Sequence, residues 1–435
     1  MIAFLQKKIT VLPKERHLAK TLSIKWITTI RHLKSNALMD IFMSEYGLSN
    51  DEGIALMCLA EALLRVPDLE TIDALIEDKI APSNWAIHLG RSNSPLVNAS
   101  TWALLLTGRV LDEKRPLART LHSVLKRLGE PVIRNIIKRA MHELSSQFIL
   151  GRTIIEATQN STKMLKLGYT YSYDMLGEGA QTSNDALEYM LSYIEAIRHL
   201  STQSTANKMI ENPGISIKLS ALYERYEWTQ KEQVLKHLVP RVLLLAQMAK
   251  KSNMALTIDA EESDRLELSM DVIECVLRHQ SLHDWDGFGI VVQAYNKRAY
   301  FVISWFYMLA KSLQRKVTLR LVKGAYWDSE IKLAQIQGLS GFPVFTSKAA
   351  TDTSYIQNVK YLKSLTDHIY PQFATHNAHT IAMVKTIFGD FKGYEFQRLH
   401  GMGDTLYQTV RQTYDIKCRI YAPVGVHEDL LAYLV

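Results

Sequence analysis

Hydrophobic and polar positions fall into two regimes along the chain. Over the first 150 residues the spacing is helical. Ser49-Asn50-Asp51-Glu52 offers capping side chains ahead of GIALMCLAEALLRV, where Ile54, Met57, Leu59, Leu63 and Leu64 fall largely on one face, and Pro67-Asp68 closes the run. A second helical run is predicted over about 117–160. From about residue 170, short runs of β-branched, aromatic and aliphatic residues recur: YTYSYDMLG (169–177), GISIKLSAL (214–222), ALTIDAE (255–261), FGIVVQAY (288–295), VTLRLVKGAY (317–326), QFATHN (372–377), YEFQRLHG (394–401) and CRIYAPVG (418–425). Helix-like segments separate them, such as DRLELSMDVIECVLRH with its Leu266, Met270, Ile273, Leu277 stripe. Strands alternating with helices imply parallel pairing through crossovers, and eight such units predict an α/β fold, a closed (βα)8 barrel behind an all-helical N-terminal part. A doubly wound open sheet is the alternative. The expected organisation is a basic helical arm (1–45), a helical domain (46–150) and the barrel (151–435), its last helix cut short.

Composition changes this picture little. The 435 residues are 47% hydrophobic and 22% charged, which is ordinary for a globular chain. The net charge of +7 is concentrated at the start: Lys7, Lys8, Lys14, Arg16, Lys20, Lys25, Arg31 and Lys34 face only Glu15 and Asp40 in the first 40 residues. This is a basic arm on a nearly neutral protein, expected to be a solvated helix and open to dimer contacts. Three widely spaced cysteines form neither a disulfide framework nor a CxxC pair, as suits a reducing cytoplasm. Cys58 and Cys275 lie within apolar helical patterns and are expected in the core. The opening MIAFLQKKITV is too short for a secretory segment, and VLLLAQMA (242–249) is far short of the roughly 20 residues that span a bilayer. A soluble protein is expected.

Candidate chemistry lies at the strand ends, where a barrel gathers its active site. Asp174 and Glu178, Lys218, Asp259, Gln293, Arg320 and Lys323, His376 and Asn377, Gln397 and His400, and Tyr421 close the successive runs, whose interiors are expected to be apolar. Glu261, Glu262 and Asp264 are expected to begin a helix, where carboxylates suit unpaired amides. His376 has no HExxH pair or Cys/His set beside it, so a metal is not expected; a ring donor to an anionic or carbonyl group fits better. Lys218 would suit a Schiff-base aldolase. RLVKGAYW (320–327) places Arg320, Lys323, Tyr326 and Trp327 together, which suits a large planar anionic cofactor. No GxGxxG follows a strand, so a Rossmann site is unsupported.

YSYDMLGEGA, NPGISIKLSALYERYE, IDAEESDRLE, QAYNKR, RLVKGAYWDSEIK, YPQFATHNAHT, YEFQRLHGMG and RIYAPVGVHEDLLAYLV closely resemble the proline dehydrogenase domain of the proline utilization A (PutA) family. LMCLAEALLRVPD and NASTWALLLTG resemble its N-terminal helical region. The resemblance implies noncovalent FAD held by Gln293, Arg320, Lys323, Gly324, Ala325, Trp327, Thr346, Lys348, Thr351, His376, Asn377 and Gln397. It implies L-proline oxidation to Δ1-pyrroline-5-carboxylate by hydride transfer from C5 to flavin N5, with Arg320 near N5. Lys218 and Asp259 would shape the polar end of the substrate pocket. Tyr326, Leu399, Tyr421 and Tyr433 would enclose the ring, and Glu178 would belong to a gating ionic network. It further implies a membrane quinone as electron acceptor, a cytoplasmic protein that meets the inner face of the membrane, and a C-terminal NAD-dependent pyrroline-5-carboxylate dehydrogenase domain in the full-length protein.

Two departures stand out. Family members continue after LLAYLV with an arginine pair that clamps the proline carboxylate, whereas this sequence stops at Val435. Charge-assisted contacts contribute about 1.5–3 kcal/mol each, so their loss predicts proline binding weaker by roughly two orders of magnitude. Some relatives also begin with a DNA-binding ribbon-helix-helix module, for which the opening 40 residues show no strand. A DNA-binding regulator acting through the basic arm is therefore the least favoured reading.

Overall fold

The computed structural model describes residues 1–32 and 148–426. The helical pattern around 54–64, the 46–150 domain, Cys58, Tyr433 and the last barrel helix lie outside, wholly or nearly so. Eight strands, β1 (Thr170–Met175), β2 (Gly214–Ile217), β3 (Ala255–Ile258), β4 (Phe288–Gln293), β5 (Val317–Val322), β6 (Ile369–Ala374), β7 (Glu395–Leu399) and β8 (Cys418–Val424), close into a barrel in sequence order. Every neighbouring pair is parallel, β8 returning to β1. All eight predicted strands are present, and closure excludes the open sheet.

Helices α1 (Ile2–Lys8), α2 (Pro13–His32) and α3 (Ile154–Lys166) precede β1. The crossovers are α4 (Ser183–Ser201), α5 (Lys231–Lys251), α6 (Leu266–Leu277), α7 (Ala299–Ser312), the pair α8 (Trp327–Ile336) and α9 (Lys348–Lys363), then α10 (Ala378–Phe388) and α11 (Asp404–Thr413). The run predicted to reach residue 160 is interrupted: residues 149–153 form a connection in which Gly151 bridges Val424, and α3 starts after its Thr153 cap. α4 opens with a reciprocal capping box between Thr182 and Asp185, so the chain leaving β1 turns into helix at a defined point.

Strand side chains alternate, and the partition differs from the apolar interior expected. Tyr171, Tyr173, Ile215, Ile217, Leu256, Ile258, Leu319, Leu321, Phe373 and Phe396 are buried outward, under the helices. The alternate positions face the axis and are largely polar: Ser172, Asp174, Ser216, Thr257, Thr318, Arg320, Gln372, Glu395, Gln397 and Arg419 are all buried. Parallel registers bring Ser172, Thr257, Arg320 and Gln397, from alternate strands, into one level of the interior.

The basic arm is not a free helix. Leu5, Ala19 and Trp26 are buried, Trp26 meets Tyr414 edge-on at 6.1 Å, and Glu15 pairs with Lys360 of α9 at 2.8 Å. Ala19, Ser23 and Trp26 turn inward, while Lys7, Lys8, Lys14, Arg16, Lys20, Lys25 and Arg31 stay exposed. Cys275 also differs from expectation. It is exposed on α6, on the side away from buried Ile273, Val276 and Leu277, whereas Cys418 is buried in β8.

Candidate active site

The carboxyl ends of the strands carry a continuous network of charge. Lys218, just beyond β2, donates to Asp174 Oδ1 at 2.8 Å and lies 3.7 Å from Asp259 Oδ2. Arg320 of β5 forks, with Nη1 to Asp259 Oδ1 at 2.8 Å and Nη2 to Ser216 Oγ at 2.9 Å. Tyr421 of β8 donates to Asp259 Oδ2 at 2.7 Å, and its ring lies beneath the Arg320 guanidinium at 4.9 Å. Two carboxylates thus balance two cations, with Asp259 joining three strands. Burial opposes a charge on Lys218, yet Asp174 and Asp259 outweigh it and hold the ammonium well above its usual range. An amine held protonated is not the neutral nucleophile that Schiff-base chemistry needs.

Around this centre the loops interlock. Tyr326 donates to Glu178 at 3.3 Å, and burial raises the Glu178 carboxyl despite nearby Lys218. Gln293 Oε1 accepts from the Ala325 amide at 2.9 Å while its Nε2 donates to the Glu261 carbonyl at 2.9 Å. Gly324 turns at φ 151°, where any Cβ would lie 2.4 Å from the Tyr295 ring, so this tight turn after β5 admits only glycine. Leu399 closes β7 opposite Tyr421 in register.

The remaining residues form a rim. Lys323 and Lys348 both face Asp352, at 2.5 and 3.7 Å. Trp327 is largely exposed and donates to the Phe345 carbonyl at 2.9 Å. Thr346 is exposed just ahead of α9, and Thr351 lies in its first turn. Asn377 has a local duty, since its Oδ1 accepts from the Thr380 amide at 2.9 Å and caps α10. Tyr433 is the one residue of the expected set outside the described region.

His376 Nε2 accepts from the Leu399 amide at 2.9 Å, which leaves Nδ1 to carry the ring proton as a donor. Burial, reinforced by Arg398, pushes His376 down to about 4, and the same causes bring His400 to about 4. Both folded values lie below the ordinary value of about 6.5, so the unfolded chain binds more protons between them. Stability is therefore complete above about pH 6.5 and is lost as pH falls towards 4, by roughly 2–3 kcal/mol for each ring. His376→Gln keeps an acceptor for Leu399 and is expected to flatten the fall of melting temperature across pH 6.5–4.5. An unchanged slope would remove His376 as a cause.

Three features were not read from the sequence. Glu261 does not start a helix, because α6 begins at Leu266. Its side chain is buried, accepts from the Ser220 amide and pairs with Arg265, both at 3.1 Å, and burial raises its carboxyl. Ser172 and Ser216 supply hydroxyls to Arg320. The period-two series Ser172, Asp174 and Ser216, Lys218 carries the signal for them.

The site can also be set beside known proteins. A family described as Proline dehydrogenase matches residues 157–435, and one described as DNA-binding domain of Proline dehydrogenase matches residues 38–148, beyond most of the basic arm. Bifunctional protein PutA of Klebsiella aerogenes is 50% identical over 92% of this chain, and that of Escherichia coli K12 is 50% identical over 90%. The chain spans 31% and 30% of the length of these curated relatives. A crystal structure of proline utilization A from Bradyrhizobium japonicum is 44% identical with a TM-score of 0.73, over 99% of this chain and 44% of that one.

Proposed function

The chain belongs to the proline dehydrogenase family, and on that premise we propose that it oxidises L-proline to Δ1-pyrroline-5-carboxylate with noncovalently bound FAD. This would be the first step from proline towards glutamate. The observation that carries the reading is the largely buried Asp174–Lys218–Asp259–Arg320–Tyr421 network at the barrel mouth, bordered by buried polar atoms with no partner among the described residues.

Two of those atoms test the fit of a flavin. Gln397 Oε1 is a buried acceptor with no donor among the described residues, and Arg320 Nε is a buried donor with no acceptor there. A planar heterocycle bearing both N–H and acceptor groups satisfies both, whereas an apolar ligand would leave each unpaired. Gln293, Arg320, Lys323, Gly324, Ala325, Trp327, Thr346, Lys348, Thr351, His376, Asn377 and Gln397 are the residues that would hold it. When bound, the flavin supplies the two-electron acceptor for the hydride leaving proline C5.

The residues of the chain bind, align and desolvate. Lys218 has three N–H donors, of which one is given to Asp174 at 2.8 Å while Asp259 lies 3.7 Å away, so the ammonium keeps an N–H for the substrate carboxylate. Arg320 keeps positive charge beside the reacting region, tied by its fork to Asp259 and Ser216. Tyr326, Leu399 and Tyr421 wall the pyrrolidine ring and exclude water, which favours the uncharged amine from which a hydride can leave, and Tyr433, outside the described residues, is assigned the same role only on the resemblance. Tyr326 and Glu178 tie the loop after β5 to the loop after β1 and serve as the gate.

A membrane quinone is the proposed reoxidant, met at the inner face of the membrane by an otherwise cytoplasmic protein. Among the described residues, no helix is long and apolar enough to cross a membrane. The relatives named bifunctional are about three times as long, and the partner activity proposed is a C-terminal NAD-dependent pyrroline-5-carboxylate dehydrogenase domain. The test is an anaerobic visible spectrum of the full chain before and after L-proline. A flavin band that bleaches supports cofactor and substrate together. No flavin band after added FAD overturns the reading.

A further inference from the structure

The floor of the barrel is closed by a second buried charge pair that the chemistry above does not use. Arg419 Nε donates to Glu395 Oε1 at 2.8 Å, with side chains only 2% and 1% exposed. The other Arg419 donors reach the carbonyls of Tyr171, Asn212 and Ile210, so this side chain is consumed in the wall. Glu395 does something more. Its Oε1 also accepts from Gln372 Nε2 at 2.9 Å and from Gln397 Nε2 at 3.1 Å.

Glu395 and Gln397 are two apart on β7, so both face the axis, with Gln397 nearer the mouth and level with Arg320. Gln372, held by the same oxygen, lies one level deeper. An amide's oxygen and NH2 lie in one plane and point in different directions, and a carboxylate paired with arginine only accepts. The Gln397 NH2 must therefore face Glu395, and Oε1 must face away from the floor. There it is buried and without a donor among the described residues.

We infer that Glu395 is a positioning residue: it locks the Gln397 amide with its carbonyl towards the barrel mouth, so that this point accepts a hydrogen bond from the flavin ring and cannot donate one. The inference rests on the flavin reading above. An oxidised flavin ring has one N–H among several acceptors, so a fixed acceptor admits the ring in one orientation and discriminates against a ring lacking that N–H. A free amide would rotate and accept either edge.

The experiment strips flavin from the full chain and titrates it with FAD and with FAD methylated at N3, following the flavin absorbance. The wild type is expected to bind the methylated form about 30-fold more weakly, the scale of a buried acceptor left unpaired. Gln397→Leu, which removes the acceptor, is expected to abolish the preference. Glu395→Gln is expected to reduce it to about 3-fold or less by letting the amide turn. Glu395→Asp keeps the charge opposite Arg419 but withdraws the oxygen, and serves the same purpose if Glu395→Gln does not fold. A preference that survives in Gln397→Leu reports methyl bulk alone and overturns the inference. So does one unchanged in the Glu395 variants that fold. A wild type that binds FAD but shows no preference defeats the inference and spares the flavin reading, while failure to bind either flavin defeats both.

Discussion

Lys218→Met is expected to lower kcat/KM for L-proline by about 10³-fold and to destabilise the barrel by about 3–5 kcal/mol. The stability loss follows from what stays behind. Asp174 is 2% exposed and its short ion pair is to Lys218; without that cation it faces Asp259 in a buried interior. Such a loss is a large share of the roughly 5–15 kcal/mol that holds a typical domain folded. Activity falls for a separate reason, since the ammonium also provides the N–H assigned to the substrate carboxylate. The double substitution Lys218→Met with Asp174→Asn separates the two. It removes the stranded charge and is expected to recover most of the melting temperature while turnover stays low. Recovery of both would show that Lys218 only neutralises Asp174. An unchanged melting temperature in the single variant would show that the buried pair carries no stability.

The same network shows how much could be read in advance. Every strand was legible, because short runs of β-forming residues alternate with helical stripes. The polar ends were legible too: Lys218, Asp259, Arg320 and Tyr421 do converge. The inside of the barrel is less legible. In TYSYDM the tyrosines dominate the eye, yet they face the helices, and Ser172 with Asp174 forms the inner wall. A strand buried on both faces hides its alternation behind bulky outward residues. Arg419 and Glu395 are hidden for a related reason. They stand at the beginnings of their strands, away from the mouth, where charge is found only if its partner is found with it.

Local spacing also failed where a distant partner decides the outcome. The acidic run at 261–264 has the composition of a helix start, but Glu261 is held by the Ser220 amide and its carbonyl holds Gln293, so the helix begins later. In the basic arm the charges are the more conspicuous signal. Ala19, Ser23 and Trp26, spaced for one helical face, were the better guide to a helix that packs.

Arg320→Lys tests whether geometry or charge matters at the centre of the site. Lysine keeps the positive charge, so the Asp259 pair survives in part, and a stability loss of only about 1–2 kcal/mol is expected. What lysine lacks is the planar fork, which reaches Asp259 Oδ1 and Ser216 Oγ at once, lies over the Tyr421 ring and carries a buried Nε–H with no acceptor among the described residues. A point charge on a flexible stem cannot hold these directions together, and misplacement of about 1 Å in an aligned site costs on the order of 10²-fold in rate. The anaerobic rate of flavin reduction by proline should therefore fall by about 10²-fold or more in Arg320→Lys. Arg320→Met removes the charge as well, leaves two buried carboxylates to share Lys218, and should lose about 3–5 kcal/mol of stability together with measurable reduction. The ordering of the two variants is the decisive result. If Arg320→Lys reduces its flavin at the wild-type rate, charge alone suffices and the fork has no part in alignment. If it fails while its melting temperature stays close to that of the wild type, the directed N–H groups of Arg320 are what the barrel mouth is built to hold.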